Sequence, residues 1–436
     1  MGTEAWLKPF ERLQGSGPGW LKTLRKQGMA RFSASGFPTL QDEDWRYTNL
    51  APLAEALFAP APEAGLGAGR LAHVLFGSLG GIRLVFVNGR FVPGLSDAGE
   101  PAPGVTVRSL SEALTAFPDL VEPHLARLST PDSGAVPALN AAFLEDGALV
   151  RLGCGASVAR PIHLLFLSSP VSGPVASHPR TLITLSEGAQ ATVVETYASL
   201  GAGASLTNAV TEADVGPGAS LDHVRLQVEG EGAWHLASLQ ARVDRDAKFA
   251  SHAVSVGASL SRNEVRVRLD APGAQARLDG LYLASGNQRT DHPTWIDHAA
   301  PDGTSVELYK GILHGSSRGA FTGRIRVRPQ AQRTDARQQS RSLLLSDDAE
   351  ADSRPQLQID ADDVACSHGA TVGRLDEAAL FYMQSRGIGH EAASSLLTYA
   401  FADEVVAPIP VEAVRTQMAS LLCGWLTRSL GHGVFL

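Results

Sequence analysis

The spacing of apolar positions changes twice along the chain. In the first 144 residues helical and extended patterns are mixed: Trp20, Leu21 and Leu24 share a helical face, and Asp42-Glu43-Asp44 opens an apolar series through Leu50, Leu53 and Leu57 that predicts a further helix. Ile82-Arg83-Leu84-Val85-Phe86-Val87, followed by Asn88-Gly89 and Phe91-Val92, predicts a hairpin, because Asn-Gly readily takes the left-handed backbone of a two-residue turn. The Pro- and Gly-rich stretches at 60–69 and 101–104 read as linkers or long loops.

From about residue 145 to 372 helical periodicity nearly vanishes. Short alternating runs such as Thr181-Leu182-Ile183-Thr184-Leu185 and Val265-Arg266-Val267-Arg268-Leu269 are punctuated by Gly, Asp and Pro. Turn signals at Gly188, Gly218, Asp246, Gly273 and Gly303 are 30, 28, 27 and 30 residues apart, and a second set falls between them at Gly203, Gly232, Gly257, Gly286 and Gly319. A coil of this length with two turns cannot bury its apolar face alone but can do so by stacking on copies of itself. The pattern favours a right-handed parallel β-helix over its rival, a large antiparallel sandwich, whose turns recur at about 8–12 residues.

After Gly373 the period returns to 3.6. Asp376 is placed to cap a helix carrying Leu380, Phe381 and Met383, with Ser385-Arg386-Gly387 as its stop. A second helix carries the stripe Ala393, Leu396, Leu397, Ala400, Phe401 and Val405. After Pro408-Ile409-Pro410 a third carries Val414, Met418, Leu421, Leu422 and Trp425. The expected organisation is therefore an N-terminal mixed helical region at 1–144, a β-helix core at 145–372 and a C-terminal helical domain at 373–436, mainly β overall.

Composition narrows the function classes. With 44% hydrophobic and 19% charged residues in 436, the chain is not disordered along its length, and 44 glycines with 6% aromatics argue against a large helical bundle. A net charge of −8 offers no global positive field for a phosphate backbone, so nucleic acid is not an expected partner. Cys154, Cys366 and Cys423 lie too far apart to suggest a disulfide framework. No basic start precedes an apolar stretch, and no apolar run reaches the ~18 residues of a membrane span, so the expectation is a cytoplasmic protein without a membrane partner.

Candidate chemistry is sparse. The chain has no Walker phosphate loop, no GxSxG elbow and no HExxH, which makes nucleotide binding by this chain unexpected. In Asp362-Asp363-Val364-Ala365-Cys366-Ser367-His368-Gly369, Cys366 and His368 are two apart; on a strand both leave one face, setting a thiol beside an imidazole as iron, zinc or copper prefers. The bland alternative is a small buried cysteine and a histidine held by a carboxylate. Two ligands do not complete a site, so donors from elsewhere or from another chain would be needed. Asp291-His292 and Asp297-His298, placed by the nearby Asp302-Gly303 turn at a coil edge, form a second cluster, read as metal ligands or as carboxylate-oriented histidines. Glu307, Lys310 and His314 suggest a buried charge network, while Cys154 and Cys423 read as small core residues.

One set of motifs is specific. Gly319-Ala320-Phe321-Thr322-Gly323-Arg324-Ile325, Ala331-Gln332-Arg333-Thr334-Asp335-Ala336, Leu343-Leu344-Leu345-Ser346, Pro355-Gln356-Leu357 and Ala361 through Gly373 occur in an order that resembles the SufB/SufD family of the SUF iron-sulfur cluster assembly system. The resemblance is nearest on the SufD side. It extends into Asp376-Glu377, Leu380-Phe381-Tyr382, Ser385-Arg386-Gly387-Ile388 and Ala400-Phe401-Ala402-Asp403-Glu404-Val405, and back to Gly36-Phe37-Pro38 and Asp44-Trp45-Arg46-Tyr47-Thr48.

The resemblance implies a right-handed parallel β-helix between helical terminal regions and a non-catalytic scaffold. It implies pairing with a SufB-like subunit through the end of the β-helix, and binding of a SufC-like ATPase through the C-terminal helices, for which Leu396, Leu397, Phe401, Asp403 and Glu404 are the expected contacts. A nascent iron-sulfur cluster is expected to form transiently where the SufB-like and SufD-like chains meet. The family's interface histidine falls on His368, with Cys366 beside it. A homodimer is expected as a possible state of the isolated chain. A SufB-like identity is disfavoured because residues 320–365 hold no cysteine to accept sulfur. The alternative from another class is a carbohydrate-active β-helix enzyme using Asp362 and Asp363, whose adjacent positions on a strand turn them to opposite faces. A self-associating solenoid without metal chemistry is the remaining alternative.

Overall fold

A computed structural model of the chain describes residues 3–13, 15–56, 58–60, 79–97, 99, 102–169, 173–201 and 203–430. Among them two long sheets face each other. From one end to the other, the first contains Val105–Ser109, Gly147–Leu152, Arg180–Leu185, Ser205–Val215, Ala233–Val243, Leu260–Leu269, Arg289–His298, Arg318–Val327 and Glu350–Ile359. The second contains Arg90–Phe91, Arg83–Val87, Ile162–Ser168, Gln190–Ser199, Ser220–Glu229, Lys248–Gly257, Gln275–Ala284, Thr304–Leu313, Thr334–Leu344 and Val364–Gly373. Successive strands alternate between the sheets, and neighbours within each sheet are parallel except in two pairings at the first end. The result is a parallel β-solenoid of about eight turns, and the sandwich is excluded.

The turns explain the sequence period. One corner of each coil carries a left-handed residue: Gly155, Gly188, Gly218, Asp246, Gly273, Asp302 and Arg333, all with φ between 56° and 74°. Each left-handed N–H donates to the corresponding turn carbonyl of the next coil, Gly188 to Pro217, Gly218 to Arg245, Asp246 to Pro272, Gly273 to Pro301 and Asp302 to Gln332, at 2.8–3.3 Å. The corner is thus a ladder of hydrogen bonds running along the solenoid, and only residues that tolerate this backbone at low cost recur there. Two expected turn positions need correction. The left-handed residue near Gly303 is Asp302, and Gly319 lies inside strand Arg318–Val327, its coil turning instead at Gly315 with φ 68°.

Inward positions alternate with outward ones, so the interior fills with Val150, Ile183, Val193, Leu239, Phe249, Val267, Leu278, Ile325 and their neighbours. The outward faces are covered unequally. N-terminal helices Glu4–Leu13, Gly19–Ser35 and Ala135–Ala142 pack Trp6, Phe32 and Leu139 against Leu206, Leu236 and Leu260 of the first sheet. Helices His390–Val406 and Glu412–Leu430 pack Val405, Met418 and Leu422 against Val254, Leu281 and Ile312 of the second.

The predicted hairpin is present, with Val87 opposite Arg90 and left-handed Asn88 and Gly89 between them. The helix expected after Asp42 is instead a short 3-10 turn, Glu43–Trp45, and a separate helix, Ala51–Glu55. The break has a cause: Trp45 and Thr48 are pinned to the solenoid. The Arg262 guanidinium lies 3.9 Å from the Trp45 ring centroid, and Thr48 Oγ1 donates to Asp291. Leu57 and most of the stretch at 60–69 lie outside the described residues.

Candidate functional site

Cys366 and His368 lie on the last strand of the second sheet, Val364–Gly373, which pairs on one side only, with Thr334–Leu344. Its register sets Cys366 opposite Ala336 and His368 opposite Gln338. Val364 and Cys366 pack against the interior cluster, so their shared face points inward, and strand alternation gives His368 the same face. No further coil covers that face. Residues Ser367 through Gly373 are exposed, with Val372 at 46%. Among the described residues the two side chains thus share one face of the last coil, whose interior opens to solvent.

The two side chains differ in chemistry. Cys366 is half-buried, and burial pushes its thiol upward, partly offset by a backbone hydrogen bond from Ala336. In the isolated chain it is a protonated packing group rather than a thiolate. His368 is exposed. No group of three or more His, Cys, Asp or Glu side chains among the described residues is arranged to hold a metal ion. The coil end thus presents one thiol and one imidazole, short of three donors.

Behind His368 the inward column continues through buried polar residues. Gln338 is 1% exposed and Nε2 donates to Glu307 Oε2 at 2.6 Å, while Gln338 Oε1 has no hydrogen-bond partner. Glu307, also 1% exposed, is pushed up to about 7 by burial, against the opposing pull of its hydrogen bonds. Sequence reading singled out Glu307 but missed Gln338. The signal that finds it is the two-residue alternation, once the ladder register with His368 is known.

Several expected groupings dissolve. Glu307 faces inward, whereas Lys310 faces outward, where Nζ donates to the Phe401 carbonyl and pairs with Glu404. His314 lies beyond the strand, so the three form no network. Asp291-His292 lies within a strand rather than at a coil edge, whereas Asp297-His298 ends that strand at the edge as expected, and alternation turns each acid away from its histidine. Asp291 pairs with Arg262 and Asp297 with Arg328, while His292 and His298 are buried inside against Thr290 and Ser305. Burial holds His292 at about 3 and His298 at about 4. Cys154 is exposed in a turn rather than in the core, and Cys423 is half-buried on the last helix. Asp362 and Asp363 lie exposed in the bend before the last strand, where the Asp363 backbone bonds Arg333 and Gln332, so they do not form an opposed acid pair.

On helix His390–Val406, Val405 is buried, Leu396, Leu397, Phe401 and Asp403 are half-buried, and Ala400 and Glu404 are exposed. The buried residues of the helix are Ala393, Ser395, Thr398, Ala402, Val405 and Val406, of which only Ala393 and Val405 belong to the predicted stripe. The Phe401 ring lies 4.3 Å from Lys310 Nζ, and Glu404 also pairs with Arg341 at 3.4 Å, so these two residues anchor the helix to its own chain. Among the described residues of the C-terminal helices, the large apolar groups left exposed are Phe381 and Tyr382, at 73% and 59%, on the helix Glu377–Ser385 that Asp376 caps through the Ala378 N–H.

Residues 167–401 match the family model described as "SUF system FeS cluster assembly, SufBD core domain", and residues 11–164 match "SufBD protein N-terminal region". The chain is 33% identical over 395 residues to the iron-sulfur cluster assembly protein SufD of Escherichia coli, covering 90% of each. It is 29% identical over 403 residues to an iron-sulfur cluster assembly SufBD family protein of Synechocystis, covering 90% of this chain and 89% of that one. Against the Arabidopsis thaliana protein named "Protein ABCI7, chloroplastic" it is 32% identical over 280 residues, 62% of this chain and 59% of that one.

Proposed function

The chain belongs to the SufBD family of iron-sulfur cluster assembly proteins, and from that premise we propose that it is a SufD-like scaffold subunit supplying one half of a cluster-forming surface. A SufB-like subunit completes that surface at the open coil end. A SufC-like ATPase, held by the C-terminal helices, supplies the ATP hydrolysis, so this chain binds no nucleotide and catalyses no step itself. The nascent cluster is cargo, held transiently and passed on. Cytoplasmic residence belongs to the same reading.

The observation that carries it is the final coil: an imidazole and a thiol on one inward face, no third donor in reach among the described residues, and a strand edge without a neighbour. A neutral imidazole is a good iron ligand, and a strand fixes its direction. An unpaired edge invites a further strand from another chain. The same edge allows a homodimer when the chain is alone.

The test is co-production with SufB-like and SufC-like subunits, followed by anaerobic purification and assay of iron and acid-labile sulfide. A three-component complex that accumulates both is expected, with ATP turnover only when the SufC-like subunit is present. A chain that ignores the SufB-like subunit, or turns over ATP alone after contaminating ATPase is removed, overturns the proposal.

A further inference from the structure

The interior column behind His368 has the form of a support for its ring. Glu307, Gln338 and His368 occupy matching positions on three successive strands of the second sheet, Glu307 opposite Gln338 and Gln338 opposite His368. Parallel neighbours are about 4.8 Å apart, so rotation of the His368 ring can bring it to the Gln338 amide, although the two are not bonded in this structure. The Gln338 amide is fixed at one end only, by donation of Nε2 to Glu307 Oε2 at 2.6 Å. Its other end, Oε1, is buried with no hydrogen-bond partner, an expensive condition for a carbonyl.

Space for the amide is reserved from the facing sheet. A Cβ at Gly323 would collide with Gln338 Nε2 and Cδ, and any larger residue there would displace the side chain. Gly323 has no positive φ that would by itself call for glycine. Its small size instead matches the room that the Gln338 amide occupies.

Resting on the reading of His368 as an interface ligand, we propose that Glu307 and Gln338 are its positioning residues: Glu307 orients the Gln338 amide, and Gln338 Oε1 accepts a ring N–H of His368. That bond selects one tautomer. The nitrogen not bound to Gln338 then carries no proton and faces the subunit contact as a lone-pair donor, the arrangement by which outer groups commonly fix metal-ligating histidines. Neither residue touches the cluster.

The tautomer can be read without any cluster. In full-length chain labelled with 15N-histidine, long-range proton-nitrogen spectra at a pH where His368 is neutral, assigned by difference from His368→Ala, should find one tautomer dominant. Gln338→Leu should mix the two tautomers, and Gln338→Met should do the same if leucine disturbs folding. Glu307→Leu should also mix them, whereas Glu307→Gln keeps an acceptor for Nε2 and should preserve the wild-type spectrum. In matched amounts of three-component complex, Gln338→Leu should lower accumulated iron about 10-fold, the lower end of the range for losing such a supporting group. An unchanged His368 tautomer in folded Gln338→Leu or Gln338→Met overturns the positioning role. Full iron accumulation in His368→Ala overturns instead the functional reading on which it rests.

Discussion

At the first end of the solenoid, Val105–Ser109 and the hairpin strand Arg83–Val87 close over the initial coil and hold Leu84, Phe86 and Val107 at no more than 7% exposure. At the last end, Glu350–Ile359 and Val364–Gly373 have one neighbour each, and Ile359 and Val372 are 40% and 46% exposed. The coil is the same at both ends; what differs is whether its face and edge find partners within the chain. Edge strands are usually blunted because they recruit other chains. Here one end carries added strands and the other, which holds His368, does not. Stability is therefore expected to reside in the closed end and chemistry in the open one.

Breaking the closed end should have the largest effect. Arg180 and Glu212 are fully buried and paired at 2.7 Å; Arg180 also donates to Asn140, and Glu212 accepts the N–H groups of Ala126, Leu128 and Ser129. Arg180→Ala leaves that carboxylate buried with less compensation, and should cost about 3–5 kcal/mol, measured as a lowered urea midpoint. A loss below about 1 kcal/mol, the scale of an exposed pair, would remove this lock from the account.

Acid should act next, and through the closed body. Burial holds His163 and His292 at about 3, below the ordinary 6.5, so the unfolded chain takes up protons that the folded chain refuses. Stability contributed by these groups is complete above pH 6.5 and falls as pH drops toward 3, by about 1.4 kcal/mol per pH unit for each group. Urea midpoints should decline from pH 7 to pH 5. A flat profile in folded Glu307→Gln protein, which lacks the opposing titration of that raised carboxyl, would mean that the interior histidines are hydrated.

The helical cover should respond less. Glu404→Ala removes the half-exposed partner of Lys310 while leaving the Phe401 carbonyl and ring in place, and should cost about 1 kcal/mol or less in thermal or urea unfolding. Because Glu404 anchors its own helix, Asp403→Lys is the cleaner probe of ATPase docking. It should weaken capture of a SufC-like subunit without shifting the unfolding midpoint. Unchanged capture would move the docking site toward the exposed Phe381 and Tyr382.

The architecture was legible because one constraint repeats. A left-handed residue at each coil corner leaves a Gly or Asp signature at 27–30-residue intervals, as from Gly188 to Gly218 to Asp246. Corners that break the signature, such as left-handed Arg333, could not be read, nor could Gly319, whose glycine lies within a strand rather than at a corner. The Cys366–His368 pairing was visible because strand alternation is local. Its open coil, and the Gln338 behind it, depend on strand register, to which spacing within one segment is blind. The same blindness joined Asp291 to His292 in sequence, although the sheet separates them.

Substitution at the open end should scarcely affect the fold. His368 is exposed and the one buried bond proposed for it is that to Gln338 Oε1, so His368→Ala should change stability, read from the urea midpoint, by about 1 kcal/mol or less. The decisive measurement is iron and acid-labile sulfide per complex, after anaerobic purification of equal amounts of wild-type and His368→Ala complexes with the SufB-like and SufC-like subunits. The account predicts normal assembly with a loss of about 10-fold or more in cluster content, the scale for groups that hold or orient a metal. Wild-type cluster content in a fully assembled His368→Ala complex would contradict it.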